Sequence, residues 1–374
     1  MSVAATNALT ARWASTLEDG PGVLSGAGVY PLLSLLARYA ADPARCELLA
    51  AAPEPARYDL AASPAVRLAL GVWSRRGLEL SERWRREVPA AMRGELTGDP
   101  AVDQPLLDEW ASRHTDGQVP QLPVRATPAT VLVLASALSV STRWAQSFHE
   151  TWPRPEAGPW RGRNLVGLFR AGADLSALRV VGTGVGPLSL LTVAGRDDVD
   201  VVLTLGPPGT GPAAALPAAI GALGGGDPLP LDAGPGVTER LVAAPDDRPE
   251  LQVSTVGFTV TAEHDLLARA ALFGLAAATD PTGDHFPGIS PRLVVSQARQ
   301  SATASFSATG FLAAAVTALG FRAGSAPPRD TTHKRVVRLD VDRPFGFLAV
   351  HRPTGLVLVA GWVTDPDTRD APGR

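Results

Sequence analysis

An α+β fold is predicted by three features of the chain: a first third that reads as helices, a strand-rich remainder, and turns instead of helices between most neighbouring strands. In the front part, residues 5–17 and 30–40 place apolar side chains at three- and four-residue intervals, the spacing of helices packed on a core. Asp42-Pro43 marks a stop and a new start, with Pro43 at a favourable first helical position. Further helices are predicted over 63–72, 80–92 and 104–113. From Thr130 the texture changes, and the continuous apolar run Val131-Leu132-Val133-Leu134 suits a strand buried on both faces. Strands are then expected over 188–193, 199–205, 251–261, 292–296, 302–306, 336–341, 345–351 and 355–363, with helices over 212–223 and 264–275. The Gly/Pro-rich stretches 206–212 and 224–236 are short enough to be surface loops, so a single domain spanning 1–374 is expected.

Composition narrows the function classes. Of the 374 residues, 45% are hydrophobic and 19% charged, a globular balance that excludes general disorder. A formal charge of −3 gives no basic footprint for nucleic acid. Lys334 is the only lysine, which with abundant Ala, Gly, Pro and Arg resembles the coding bias expected of a GC-rich bacterium. The sole cysteine, Cys46, excludes a disulfide framework and a cysteine-based metal site, and is expected to pack as a small apolar residue. Residues 1–20 show neither a basic n-region nor a continuous apolar h-region, so a cytoplasmic protein is expected. No apolar run approaches the roughly 20 residues that span a bilayer, so no membrane partner is expected.

The segment from Ser307 to Thr317 is a run of small, β-compatible residues, suited to a strand that slides between others because each side chain needs little room. The residues that follow, 320–332, hold two Gly, two Pro and three charged residues and read as an exposed loop. A loop hung on an insertable strand suggests protease bait. Elsewhere, Glu263-His264-Asp265 is the densest titratable cluster and is expected to open the helix over 264–275, with its acids near the positive end of the dipole. His114 and Thr115 close the helix that carries Trp110. His149-Glu150 and Asp197-Asp198-Asp200 lack metal-ligand spacing, no nucleophile-elbow motif singles out a serine, and Gly224-Gly225-Gly226 follows a helix instead of opening one as a phosphate cradle would. No metal or cofactor is therefore expected and no catalytic residue is assigned; acid–base work by Glu263-His264-Asp265 and a Ser-His-Asp arrangement stay open as alternatives.

Five segments, in order along almost the whole chain, are similar to one family. They are Val23 through Leu33; Trp110 followed by Thr115-Asp116-Gly117; Leu132 through Phe148 with its Trp144-x-x-x-Phe148 ending; Phe286-Pro287-Gly288-Ile289-Ser290; and Asp342-Arg343-Pro344-Phe345. Together they resemble the serpin family. The resemblance implies three β-sheets surrounded by about eight or nine helices, with an exposed reactive-centre loop. In inhibitory members a protease cleaves this loop, becomes acylated, and is carried off as the freed loop inserts as an extra strand. The hinge of that loop corresponds to Gly310, Phe311, Leu312, Ala313, Ala314, Ala315, Val316 and Thr317, and family spacing puts the scissile bond at Gly324-Ser325, with Phe321 and Arg322 as alternative bait.

Gly310 and the small run 313–317 match the family pattern, whereas Phe311, Leu312 and Ala308 depart from it. In an inserted strand Phe311, Ala313, Ala315 and Thr317 would share the buried face. If that slot is sized for threonine, overpacking by Phe311 would cost roughly 1–3 kcal/mol; alternatively Phe311 and Leu312 pack against the sheet top in a loop that never inserts. Two functions follow from the resemblance: a suicide inhibitor of a serine or cysteine protease, or a non-inhibitory serpin-fold protein recruited as a biosynthetic enzyme or a partner-binding scaffold. The partner is a protease in the first and a small molecule or protein in the second, and a monomer is expected in either case.

Overall fold

The computed structural model describes residues 2–60, 63–311 and 332–369. Among these are seven α-helices, five short 3-10 turns and four hydrogen-bonded sheets. The centre is a seven-stranded sheet in the order Gly22–Leu24, Leu356–Val363, Phe345–His351, Val199–Leu205, Gly186–Val193, Leu178–Thr183, Asp227–Leu229. Phe345–His351 and Leu356–Val363 are buried at every position, which is why both read as unbroken apolar runs. One face of this sheet packs through Leu348, Val350, Val357 and Ala360 on the helices Ser2–Ala14, Gly26–Tyr39 and Pro212–Ala222. Its other face, through Phe345, Phe347 and Leu358, joins a second core with Phe258, Phe306 and Phe311.

A five-stranded sheet runs Val237–Ala244, Thr332–Asp340, Glu250–Val256, Gly167–Gly172, His149–Thr151. The remaining sheets have three strands (Arg93–Leu96, Val66–Arg75, Leu132–Val140) and four (Phe258–Asp265, Arg299–Phe306, Gly310–Phe311, Thr142–Arg143). They are two halves of one layer. Leu132–Val140 runs on through Ser141 into Thr142–Arg143, so a single stretch of chain belongs to both halves. The expected three sheets therefore become four because one of them is split.

Several elements differ from the sequence reading. Residues 63–72 were expected as a helix but supply the strand Val66–Arg75, because pairing with Leu132–Val140 over nine residues overrides a pattern compatible with either structure. The helix over 80–92 is reduced to Glu82–Glu87 and a 3-10 turn at Ala90–Met92. The strand over 251–261 is two strands that part at Gly257 and enter different sheets. Glu263-His264-Asp265 ends the strand Phe258–Asp265 and does not open a helix; Asp265 caps the 3-10 turn Leu266–Arg269, and the helix that follows is only Ala270–Phe273. Cys46 is exposed, since the eight-residue helix Ala44–Ala51 buries Ala44, Leu48 and Ala51 and turns Cys46 to solvent. Among the described residues no helix is long and apolar enough to cross a membrane.

Candidate functional site

The split in the sheet is the site. Leu132–Val140 bonds to Val66–Arg75 on one edge, and Arg299–Phe306 bonds to Phe258–Asp265 on one edge. Their other edges face each other across a cleft of about 360 Å³. Gly28, Val29, Leu32, Leu33 and Leu36 of the helix Gly26–Tyr39 form its floor. This cleft accounts for two departures from the sequence reading. Leu132–Val140 is not buried on both faces but alternates, with Val133, Ala135 and Ala137 under the helix Pro100–His114 and Leu132, Leu134, Ser136 and Leu138 half open toward the cleft. Residues 292–296 form no strand, because the cleft leaves them without a partner on that side; Val295 N–H donates instead to the Ala278 carbonyl.

Motifs noted in the sequence build the roof and walls. Trp110 packs edge-on to Trp73 at 4.8 Å, and the same separation puts the His114 ring beside it. Thr115, fully buried, donates from its hydroxyl to the Ala111 carbonyl and accepts from Val119 N–H, and Gly117 takes the positive φ of 78° that the turn needs. The chain is thereby sent back over the cleft as Gln118, Val119 and Leu122. Gly288 meets the backbone of Tyr39 so closely that a Cβ would lie 2.7 Å from its carbonyl oxygen, which fixes the Phe286–Ser290 turn against the floor helix.

Two glutamines span the walls. Gln300 accepts from Ser25 N–H and donates to the Ser25 carbonyl, both at 2.9 Å, at the start of the floor helix. Gln297 grips Arg125 in the same way, accepting from its N–H at 3.1 Å and donating to its carbonyl at 2.8 Å. Each side-chain amide imitates a backbone peptide and satisfies both groups of one residue. Sequence reasoning passed over both glutamines, since an isolated Gln carries no signature of such a grip.

At its mouth the gap is one strand wide and already occupied. Gly310–Phe311 lies antiparallel to Thr142–Arg143 on one edge, and Phe311 pairs with Phe306 on the other. Gly310 touches the neighbouring backbone: a Cβ there would come within 2.4 Å of the Thr142 carbonyl oxygen. Phe311 is fully buried, with its ring centre 6.1 Å from that of Phe347. The turn before it is held by Trp144, whose indole N–H donates to the Ser307 carbonyl at 2.8 Å and whose backbone N–H donates to Thr309 at 3.0 Å. Phe148 N–H reaches the Ala308 carbonyl at 2.9 Å. Of the hinge residues, Leu312, Ala313, Ala314, Ala315, Val316 and Thr317 lie outside the described residues, as do Phe321, Arg322, Gly324 and Ser325.

The far end of the same segment enters the five-stranded sheet as Thr332–Asp340. It has a neighbour on each side, pairing with Val237–Ala244 over eight residues and with Glu250–Val256 over five. Lys334 is ion-paired with Glu250, and Arg335 is bidentate to Glu239 at 2.6 and 2.7 Å.

Other candidate chemistry is absorbed by structure. His264 Nε2–H donates to the Val23 carbonyl at 2.8 Å and the ring stands edge-on to Trp13; burial, with the Arg269 charge adding to it, holds its pKa below the usual histidine range. Asp198 and Asp200 pair with Arg352. No group of three potential metal ligands is present among the described residues.

No protein-family model matches the chain, and no curated protein sequence is significantly similar to it. Solved structures are similar over nearly its whole length. Native protease nexin-1, determined with heparin, superposes with a TM-score of 0.71 at 18% identity, covering 98% of each chain. A serpin from the trematode Schistosoma haematobium gives 0.69 at 12% identity, over 98% of this chain and 100% of that one. Serpin48 of the insect Tenebrio molitor, a highly specific serpin, gives 0.68 at 17% identity, over 97% and 98%. At these identities the likeness is one of architecture, and the chain has the serpin fold.

Proposed function

We propose that the protein inhibits a serine or cysteine protease by offering the segment after Phe311 as bait and taking it up as a strand once cut. The observation that carries this reading is the one-strand gap whose mouth is already filled by Gly310–Phe311. Extending that register would set Ala313 between Val140 and Ala304, Ala315 between Leu138 and Ala302, and Thr317 between Ser136 and Gln300. Their side chains would follow Phe311 onto the floor face by the two-residue period of a strand. Small residues would thus meet a space bounded by apolar residues and by the polar pair Ser136 and Gln300, which already bonds the floor helix.

In the chemical step, the protease's own hydroxyl or thiol attacks the scissile carbonyl. The C–N bond breaks, the amine leaves with a proton, and an ester or thioester joins the two proteins. Gly324-Ser325 is the proposed bond, with cleavage after Phe321 or Arg322 answering to chymotrypsin-like or trypsin-like partners. Insertion would then exchange the solvated edges of Leu132–Val140 and Arg299–Phe306 for paired ones.

The test is incubation with trypsin, chymotrypsin and subtilisin, followed by denaturing electrophoresis and by melting of the nicked protein. An SDS-stable covalent complex with at least one protease, and a large rise in Tm after nicking, are expected. Nicking without complex and without a rise in Tm would defeat the proposal and leave the non-inhibitory scaffold or enzyme reading in its place.

A further inference from the structure

A second cavity, of about 210 Å³, lies against one face of the paired strands Gly167–Gly172 and Glu250–Val256, bordered by Ala145, Gln146, Thr192 and Ala194. Its walls are mostly apolar, with Ala145, Ala177, Leu251 and Val253 among them. Arg170 is the cation that lines it. Only 9% of that residue is exposed, and no carboxylate among the described residues forms a hydrogen bond or ion pair with it. Its guanidinium lies over the Phe148 ring at 4.7 Å and makes one long hydrogen bond, from Nη2 to the Thr192 carbonyl at 3.5 Å. Asp174 also borders the cavity, but its Oδ1 is committed to the N–H and hydroxyl of Ser176.

A buried guanidinium ordinarily satisfies its fork of five N–H donors on carboxylates or carbonyls. Here most of that fork has no protein acceptor, and burial pushes the pKa down to about 10 against the opposing pull of the Asp174 charge. We propose that this cavity is a binding site for a small aliphatic monocarboxylate, its two oxygens on the Arg170 fork and its short chain against Leu251 and Ala177. The apolar walls favour a hydrocarbon tail over a fully polar anion. Asp174 beside a single cation disfavours a second negative charge, so a monoanion fits and phosphate does not.

The test is thermal unfolding of the purified full-length protein titrated with sodium butyrate, against sodium chloride and sodium phosphate at matched ionic strength. A saturable rise in Tm with butyrate alone is expected, and Arg170→Met, which keeps packing on Phe148 without the charge, removes it. Ala177→Leu, which fills the cavity and leaves Arg170 in place, also removes it and serves if the arginine variant does not fold. A response to butyrate no larger than that to chloride, a stronger response to phosphate, or a butyrate response that survives in a folded variant would overturn the assignment. None of these readouts depends on protease inhibition.

Discussion

Replacing Phe311 with alanine tests whether the root of the loop belongs to the sheet before any bond is cut. The ring is fully buried, and its backbone is paired to Thr142 on one edge and Phe306 on the other. Truncating a buried phenylalanine costs about 3–5 kcal/mol. Unfolding entropy near 2.1 cal/mol/K per residue gives roughly 0.8 kcal/mol/K for a chain of 374 residues, so the Tm of the intact protein should fall by about 4–6 °C. The same seat is filled in the intact form and in the proposed inserted form. The cleaved variant should therefore lose a similar increment, and the difference between the intact and cleaved transitions should match that of the unmodified protein. Calorimetry of intact and nicked samples measures both quantities. If the intact variant melts within about 1 °C of the unmodified protein while the cleaved form alone loses stability, the seat is filled only after cleavage and the reasoning fails.

Gln297→Ala removes two hydrogen bonds that span the gap wall, at about 0.5–1.5 kcal/mol each. The intact protein should lose stability and insert faster after nicking, followed by stopped-flow tryptophan fluorescence; an unchanged insertion rate would refute a gating role. Gly310→Ala drives a Cβ toward the Thr142 carbonyl oxygen and should cost about 1–3 kcal/mol of unfolding free energy by overpacking, read as a lower urea midpoint at unchanged m. Burial holds the pKa of both His264 and His351 below the ordinary histidine value, so below about pH 6.5 the unfolded chain takes up protons that the folded chain refuses. Stability present above that pH should decline as pH falls toward the folded values, and His264→Gln, which can keep the donor to Val23, should make the decline shallower in urea titrations.

Much of the architecture was legible because its strands are unusually clear. The runs over 199–205 and 345–351 match observed strands end to end, since central strands buried by their neighbours leave little choice of residue. Two of the misreadings lie at the gap. Residues 131–134 looked doubly buried and 292–296 looked like a strand, and both line the gap; 63–72 looked helical and instead pairs with the far edge of Leu132–Val140. Periodicity reports a side chain's surroundings, and a gap supplies surroundings that are neither core nor solvent. Of the site itself, Gly310 and Phe311 were singled out from the small-residue run, whereas Gln297 and Gln300 act on backbone groups far off in sequence and left no pattern to read.

The strand Thr332–Asp340, held on both sides and tied by Lys334 and Arg335, fixes the length of a tether. Twenty residues, 312–331, separate it from Phe311. In the register begun by Phe311 and Thr142, a strand reaching the level of Leu132 would use ten of them and descend roughly 33 Å. The other ten, drawn out fully, reach about 33–36 Å, so a return to the level of Phe311 would leave nothing for a turn at the bottom or for a sideways step. On the proposed mechanism, an uncut chain making that return would be too short to complete the journey while its far end stays in the sheet. In the proposed mechanism, cutting one peptide bond would remove the return leg, so the timing of insertion would rest on a ruler built into the sequence.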